Sequence, residues 1–244
     1  MTVPAKLFQQ WLSCVAGDTS QAAVCRAAGI KRSTLAQQLV RGRVSVATVA
    51  AVSRSLDLPV VESLSVFPKF YDLAQGLKLP THAELLSQIP DNDLLLEFLN
   101  RRKAEETNTE PPGILLAPPY HRSSVRAWMD AIDGSDLRQK VARSMSMAPQ
   151  NLSAQISANR LSAELAVESA RIAGVGLANG LVANGFLAPG EAGWVPGSRT
   201  KVLQDTPDSA LALLVAQRLE ALSKALRRHE EDSAAVLRVW ENLG

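Results

Sequence analysis

The amino-acid sequence predicts an all-α protein built from two tandem repeats, and three observations support this prediction. Aromatic residues make up only 5% of the 244 residues while alanine and leucine are abundant, a balance that favours helices over strands. Apolar residues recur at helical spacing along most of the chain. The sequence also aligns with itself at an offset of 117 residues. We therefore expect each repeat to have a front part of five helices followed by a helical rear part.

The internal repeat appears as identical residues that lie 117 positions apart. Between positions 8 and 64, 10 residues equal their partners, among them Trp11 with Trp128 and Arg54 with Arg171. Between positions 86 and 104, a further 7 of 19 positions are identical at the same offset. The alternative is chance agreement between two helical segments rich in alanine and leucine. A constant offset over both regions favours a duplication.

The repeat divides the chain into segments of different character. The front parts, residues 1–75 and 121–192, are expected to form two domains, and the rear parts, residues 76–106 and 198–244, are expected to be helical. In each rear part a helix is expected after a Pro-Asp pair, because proline followed by acidic residues is typical of a helix N-terminus. Residues 107–120 contain four prolines and a glycine and are expected to be a linker.

Apolar spacing and capping residues place the helices of the first front part. They predict helices at Pro4–Ala16, Gln21–Ala28, Arg32–Val40 and Ser45–Leu56, and a short fifth helix after Pro59. Gly29 can adopt the positive φ of a tight turn between the second and third helices, and Gly42 ends the third helix. Trp11 and Trp128 are expected to anchor the core. Arg54 and Arg171 are expected to be surface or ion-pair residues.

The segment SQAAVCRAAGIKRSTLAQQLVRGR resembles the λ-repressor-like (XRE-type) helix-turn-helix. Polar residue, small residue, turn glycine, aliphatic plug and polar helix occur in that family's order, and SVATVAAVSRSLDLPVVESL resembles its fourth and fifth helices. One departure is that Gly42 lies one residue further from Leu35 than in the commonest pattern. The second repeat departs more, because Ser146 replaces the turn glycine and Met147 the plug. Its ARIAGVGLANGLVANGFLAPGEAGW nevertheless resembles the corresponding helices of actinobacterial phage repressors.

The resemblance implies that the third helix of each repeat lies in the major groove of double-stranded DNA. The residues expected at DNA in repeat one are Gln21, Lys31, Arg32, Ser33, Thr34, Gln37, Arg41 and Arg43. Those expected in repeat two are Arg138, Gln150, Asn151, Ala154, Asn159 and Arg160. Arginine can pair with guanine, and glutamine or asparagine with adenine, while the flanking cations suit phosphates. The alternative for each residue is a solvated surface position, and repeat two is the less basic of the two.

Charge distribution agrees with two basic front parts and two acidic rear parts. Residues 1–70 carry 8 Lys+Arg against 3 Asp+Glu, a net charge of +5, and residues 118–187 carry 7 against 5, a net charge of +2. Residues 71–117 carry 4 against 8, giving −4, and residues 188–244 carry 7 against 8, giving −1. A basic segment suits nucleic-acid phosphates, whereas an acidic one suits a protein partner or solvent.

Together these features predict a cytoplasmic, sequence-specific transcriptional regulator of the bacterial phage or prophage repressor type. The two recognition helices differ, KRSTLAQQ against APQNLSAQ, which favours an asymmetric operator over a palindrome. Two alternatives stay open: a helical protein-interaction adaptor or antitoxin, and an architectural protein that bridges DNA segments. A leucine stripe in the last helix packs either on its own chain or on a second copy, which would make a homodimer.

Other classes of function have no sequence support. We find no phosphate-binding glycine loop, metal-ligand cluster or nucleophile constellation, so we expect neither an enzyme nor a cofactor. No apolar run approaches the roughly 20 residues of a membrane span, and the N-terminus lacks the pattern of a signal peptide. Cys14 and Cys25 form no metal pattern and are expected to be small core residues in a reducing compartment.

Overall fold

The structure, a computed structural model, describes residues 2–241 and is mostly helical, which confirms the all-α class. The first half contains α1 (Ala5–Ala16), α2 (Gln21–Ala27), α3 (Arg32–Val40), α4 (Val46–Ser55), α5 (Val60–Ser65), the 3-10 helix η1 (Pro68–Phe70), α6 (His82–Ser87) and α7 (Asp91–Thr107). The second half contains α8 (Ser124–Ile132), α9 (Leu137–Ser144), α10 (Pro149–Ser157), α11 (Ala163–Ala173), α12 (Asn179–Ala183), the 3-10 helix η2 (Pro189–Ala192), α13 (Ser198–Asp205) and α14 (Asp208–Glu241). Residues 242–244, the end of the predicted rear part 198–244, lie outside the described residues.

Several helices begin at residues that cap them, and three pairs of helices begin 117 residues apart. The pairs are α3 with α10, α4 with α11, and α7 with α14. At α4, Ser45 Oγ accepts a hydrogen bond from the backbone N of Thr48 at 3.0 Å, and at α11 Ser162 Oγ accepts one from the N of Leu165 at 3.3 Å. These bonds satisfy N–H groups that the first helical turn leaves without a partner.

One short sheet was not expected from the sequence. Thr2–Pro4 (β1) pairs antiparallel with Arg43–Ser45 (β2), and Val3 lies opposite Val44. Both valines are buried, so this ladder holds the N-terminal residues against the segment that follows α3. A strand of three residues is too short for alternating hydrophobicity to reveal it, which explains the omission.

The chain forms two compact units, and each unit takes a part from both halves of the chain. The first unit comprises residues 1–88 and 119–199 and therefore contains both front parts. The second comprises residues 89–118 and 200–244 and contains α7 and α14. The sequence-based division treated the two front parts as separate domains, whereas they lie here in one unit.

Tryptophans anchor the core of the first unit. Trp128 is fully buried and Trp11 is 6% exposed, which confirms their expected role as core anchors. The Trp11 ring lies 5.6 Å from that of Phe8 and 6.1 Å from that of Phe67, between ring centroids. The expectation for the cysteines is right for Cys25, which is buried, and wrong for Cys14, which is exposed on α1.

A buried polar network joins α6, from the first rear part, to the second front part within this unit. Glu84 of α6 is fully buried, and its Oε1 accepts hydrogen bonds from Trp128 Nε1 and Asn179 Nδ2, both at 3.1 Å. Asn179 Oδ1 accepts a further bond from Trp194 Nε1 at 2.9 Å. Burial of polar groups is tolerated when they are hydrogen-bonded. Repeat one thus contributes α6 to the core around the tryptophans of repeat two.

The second unit is organised around the antiparallel pair α7 and α14. Arg101 of α7 lies 3.0 Å from Asp208 at the start of α14, and Arg218 of α14 lies 3.3 Å from Asp91 at the start of α7. Arg101 also donates to the carbonyl oxygens of Leu203 at 2.6 Å and Thr206 at 2.7 Å. Because each helix binds the N-terminus of the other, the two N-termini lie at opposite ends of the pair.

Candidate nucleic-acid interface

The segment from α2 to α3 forms a tight helix-turn-helix. Ser20 caps α2, since its Oγ accepts a hydrogen bond from the N of Ala23 at 3.3 Å. The chain then reverses at Gly29, whose φ of 65° favours glycine, and the N of Ile30 donates to the carbonyl of Cys25 at 2.8 Å. Leu35 is 1% exposed and anchors α3 to the core. This anchor leaves the opposite face of α3 directed to solvent.

The exposed face of α3 carries the residues predicted to read bases. Arg32, Ser33, Thr34 and Gln37 are all exposed. Lys31 precedes the helix without capping it, and the first turn contains no acidic residue. The partial positive charge of this helix N-terminus is therefore not neutralised by a side chain of its own.

A shallow depression lies between α2 and α3. It has a volume of about 310 Å³ and is lined by Gln21, Cys25, Arg32, Ser33 and Ala36. Gln21 is the first residue of α2, and Arg32 is the first of α3, so the N-termini of both helices meet at this depression. The structure thus brings together Gln21 and two of the predicted base-reading residues, whereas they are ten or more positions apart in the sequence.

Exposed cations surround α3 and have no acidic partner among the residues that the structure describes. Lys31, Arg32, Arg41 and Arg43 are exposed, as is Arg26 on α2. Residues 21–43 contain these five cations and no acidic residue. Among the side chains that the structure describes, none forms an ion pair with these five. The surface around α3 therefore has a positive field that no neighbouring carboxylate cancels.

The corresponding segment of repeat two has the same local geometry. Ser146 takes the position of Gly29 in sequence and also has a positive φ, 49°. The N of Met147 donates to the carbonyl of Ala142 at 2.9 Å, and Leu152, which is 1% exposed, anchors α10. The sequence indicated this turn only weakly, because serine is not the residue that such a conformation favours.

A glutamine joins the end of α3, and likewise the end of α10, to the helix that follows. Gln38 Oε1 accepts a hydrogen bond from the N of Ser45 at 2.8 Å. Gln155 Oε1 accepts one from the N of Ser162 at 3.3 Å. Each bond joins its helix to the start of the following one. These amides therefore connect α3 to α4 and α10 to α11.

The exposed surface of repeat two differs in charge. Gln150, Asn151 and Ala154 are exposed on α10, but α10 carries no cation. Residues 146–160 contain one cation, Arg160, whereas residues 29–43 contain four. Arg160 is exposed and makes no ion pair with the described side chains. This surface can offer hydrogen bonds to a ligand but attracts an anion less strongly.

Two of the residues predicted at DNA in repeat two are held by other parts of the protein. Arg138 forms an ion pair with Asp130. Asn159 has a φ of 52°, and its Oδ1 accepts a hydrogen bond from the N of Val125 at 3.0 Å, while its Nδ2 donates to the carbonyl of His121 at 2.8 Å. The side chain of Asn159 thus fixes the chain around the start of α8.

Arg54 and Arg171 form ion pairs, in agreement with the expectation of surface or ion-pair residues, and these pairs join the two front parts. Arg54 donates to both carboxylate oxygens of Glu191, at 2.7 and 2.8 Å, and Arg171 contacts both oxygens of Asp72, with a shortest distance of 2.8 Å. The hydrogen bond from Arg54 lowers the pKa of Glu191. Burial lowers the pKa of Arg171, but hydrogen bonds to Asp72 and Glu168 outweigh burial and raise it. The two acidic partners were not predicted, since no local pattern marks them.

Comparisons with known proteins provide no relative for this chain. No family model matches it, and neither a curated protein nor a solved structure matches it. Within residues 2–241, no helix is long and apolar enough to cross a membrane, and no group of three potential metal-binding side chains occurs.

Proposed function

We propose that this chain is a sequence-specific DNA-binding transcriptional regulator of the λ-repressor-like helix-turn-helix class, with α3 as its principal recognition helix. The observation that carries the proposal is the set of exposed cations around α3 that pair with no described carboxylate, namely Lys31, Arg32, Arg41 and Arg43. Like charges on one surface repel one another, and a polyanion removes this repulsion while releasing counterions from DNA.

We propose different roles for these side chains. Arg32 and Gln37 lie on the exposed face of α3, where they would reach guanine and adenine in the major groove. Ser33 and Thr34 complete this base-reading face. Lys31, Arg41 and Arg43 flank it and would bind phosphates, as would Gln21 at the start of α2.

Repeat two is a second, weaker reader in this proposal. Support for a duplication comes from helices that begin 117 residues apart and from matched structural details, such as the positive φ of Gly29 and Ser146. Gln150, Asn151 and Ala154 would contact bases, and Arg160 a phosphate. Arg138 and Asn159 have structural roles instead.

The proposal makes this regulator a repressor of the phage or prophage type. A helix-turn-helix that lies across a promoter occupies the surface that a polymerase needs, so binding alone suffices for repression. The alternative of an adaptor or antitoxin requires a protein partner and no selective binding to DNA, and the following experiment separates these two classes.

The test is selection of bound duplexes from a random DNA pool, followed by affinity measurements on the selected site. Loss of one base contact costs about 1–3 kcal/mol, so Arg32→Ala should weaken binding by roughly 5- to 150-fold and relax one position of the site. Gln150→Ala should relax a different position. Arg102→Ala, which removes an exposed arginine on α7, is the control for loss of charge and should leave affinity unchanged.

Two results would contradict the proposal. Enrichment of no sequence from the pool would exclude a sequence-specific regulator and favour the adaptor. Equal effects of Arg32→Ala and Arg102→Ala would show that α3 does not read bases, even if the protein binds DNA through its overall charge.

A further inference from the structure

Two ion pairs between the front parts are reciprocal. Arg54 lies at the end of α4 and reaches Glu191 in η2, the segment that follows the fifth helix of repeat two. Arg171 lies 117 positions later, at the end of α11, and reaches Asp72, in the segment that follows the fifth helix of repeat one. The same surface of each repeat thus contacts the same surface of the other.

A second set of contacts follows the same rule. The segment after η1 in repeat one lies against the chain that leads into α12, because the N of Leu177 donates to the carbonyl of Gly76 at 3.0 Å. Conversely, η2 in repeat two packs against α5 of repeat one. In each repeat, the segment that follows the fifth helix therefore lies against the fifth helix of the other repeat, or against the residues that lead into it.

Reciprocal contacts distinguish two possible relations between the repeats. A head-to-tail arrangement joins two different surfaces and leaves each unpaired at one end, whereas a two-fold arrangement pairs a surface with its own copy. The contacts of Arg54 and Arg171 are of the second kind. The two helix-turn-helix segments are therefore related by an approximate two-fold axis, although they are joined in tandem.

The two front parts also belong to one compact unit. Besides the two arginine pairs, their contact includes an ion pair of 2.6 Å between Lys69 and Glu164. Buried bonds from Trp128 and Asn179 of the second front part to Glu84 of the first rear part add a contact that has no access to water. The relative position of α3 and α10 is then set by packed side chains and not by the length of residues 107–120, which connect the repeats.

We propose that the DNA target consists of two half-sites of unlike sequence, in inverted orientation and at one fixed spacing; this inference rests on the proposed function. Two-fold symmetry in a DNA-binding protein requires inverted half-sites, because the DNA backbones have their own two-fold axes. The differing residues of α3 and α10 make the half-site sequences unlike. Orientation and spacing are therefore those of a palindrome, while the base sequence is not palindromic.

The experiment uses the full chain and duplexes built from the selected site. The half-site read by α10 is placed inverted or direct relative to the one read by α3, and its distance is varied in single base pairs. The inverted arrangement at one spacing should bind at least tenfold more tightly than the direct one. Its affinity should also exceed that of the same inverted arrangement with the second half-site displaced by five base pairs. A displacement of about half a helical turn places the major groove of the second half-site on the opposite face of the DNA.

Two variants identify what sets the spacing. Arg54→Glu combined with Arg171→Glu opposes two pairs of like charges between the front parts without touching α3. It should retain affinity for a single α3 half-site and lose the preference for one spacing. Insertion of six glycine and serine residues after Gly113 lengthens the connection and should leave both the preferred spacing and the affinity unchanged.

The outcomes separate the inference from the proposed function. Preference for direct half-sites, or a preferred spacing that shifts with the insertion, would overturn the two-fold inference. Tight binding to a single α3 half-site with no effect of a second one would also overturn it, while leaving the regulator intact. Absence of selective binding to any duplex would overturn both.

Discussion

At the scale of single residues, the arginines of the first unit fall into two groups according to their partners. Arg54 and Arg171 each bind a carboxylate more than 90 positions away in sequence. Arg32 and Arg43 are exposed without such a partner among the described residues. A paired arginine holds the protein together, and an unpaired one is available to an external anion. This division, and not the total charge of +2, is what makes α3 the candidate DNA reader.

The turn residues Gly29 and Ser146 lead to a prediction about stability. Both have a positive φ, and a Cβ added at Gly29 would meet no atom within 4 Å. A left-handed backbone conformation costs about 1–2 kcal/mol for an L-residue with a Cβ, whereas glycine adopts it without this cost. Gly29→Ser should therefore lower the free energy of unfolding by about 1 kcal/mol. Ser146→Gly should raise it by up to about 1 kcal/mol, since a more flexible unfolded chain offsets part of the gain.

Urea denaturation followed by circular dichroism measures both variants. The comparison is internally matched, because both turns belong to the first unit and the substitutions are the reverse of each other. A stabilising Gly29→Ser, or a Ser146→Gly that destabilises by more than a few tenths of a kcal/mol, would show that the positive φ is not a source of strain at these turns.

At the scale of secondary-structure elements, the helix pair α7 and α14 depends on Arg101. Its side chain is 12% exposed, and it binds Glu97, which is 8% exposed, together with Asp208 and two carbonyl oxygens. Removing one partner of a buried ion pair typically costs about 3–5 kcal/mol. We expect Arg101→Ala to destabilise the second unit by about 3 kcal/mol, because it leaves the Glu97 carboxylate and both carbonyls without their donor.

The neighbouring Arg102 supplies the control for this prediction. It is 46% exposed and pairs with Glu105 on the same helix, an interaction worth at most about 1 kcal/mol. Hydrogen exchange should therefore be faster throughout α7 and the start of α14 in Arg101→Ala and nearly unchanged in Arg102→Ala. Similar exchange in the two variants would argue against Arg101 as the residue that joins the helices.

The sequence allowed the helices to be predicted better than their packing. The bounds of α3 agree with the expected Arg32–Val40, because apolar anchors and a turn glycine are local signals. The pairing of β1 with β2 and the contact of Arg54 with Glu191 join residues about 40 and 137 positions apart, and no local pattern encodes them. For the same reason the sequence placed Asn159 at DNA, although its amide is used by the start of α8.

At the scale of the whole molecule, the two front parts are joined by side-chain contacts as well as by the linker between them. A flexible linker would let two readers find half-sites over a range of distances, and binding would depend on an effective concentration. Here both front parts share one unit, so the positions of α3 and α10 are determined by side-chain contacts. Under the proposed function, the chain would act as a dimer does, with two halves that can differ in sequence. Exposed cations surround α3, whereas α10 carries none.

The salt dependence of DNA binding tests whether repeat one makes more phosphate contacts than repeat two. Each phosphate contact contributes about −0.9 to the slope of log K against log salt concentration. With Lys31, Arg41 and Arg43 as phosphate contacts of repeat one and Arg160 as that of repeat two, the slope should be about −3.6 on the complete operator and about −2.7 on an isolated α3 half-site.

Arg43 and Arg160 occupy matched positions, 117 residues apart. Arg43→Ala should therefore reduce the slope by about 0.9 on both duplexes, and Arg160→Ala only on the complete operator. An Arg160→Ala protein with an unchanged slope on the complete operator would show that repeat two supports repeat one structurally without docking on DNA through this residue.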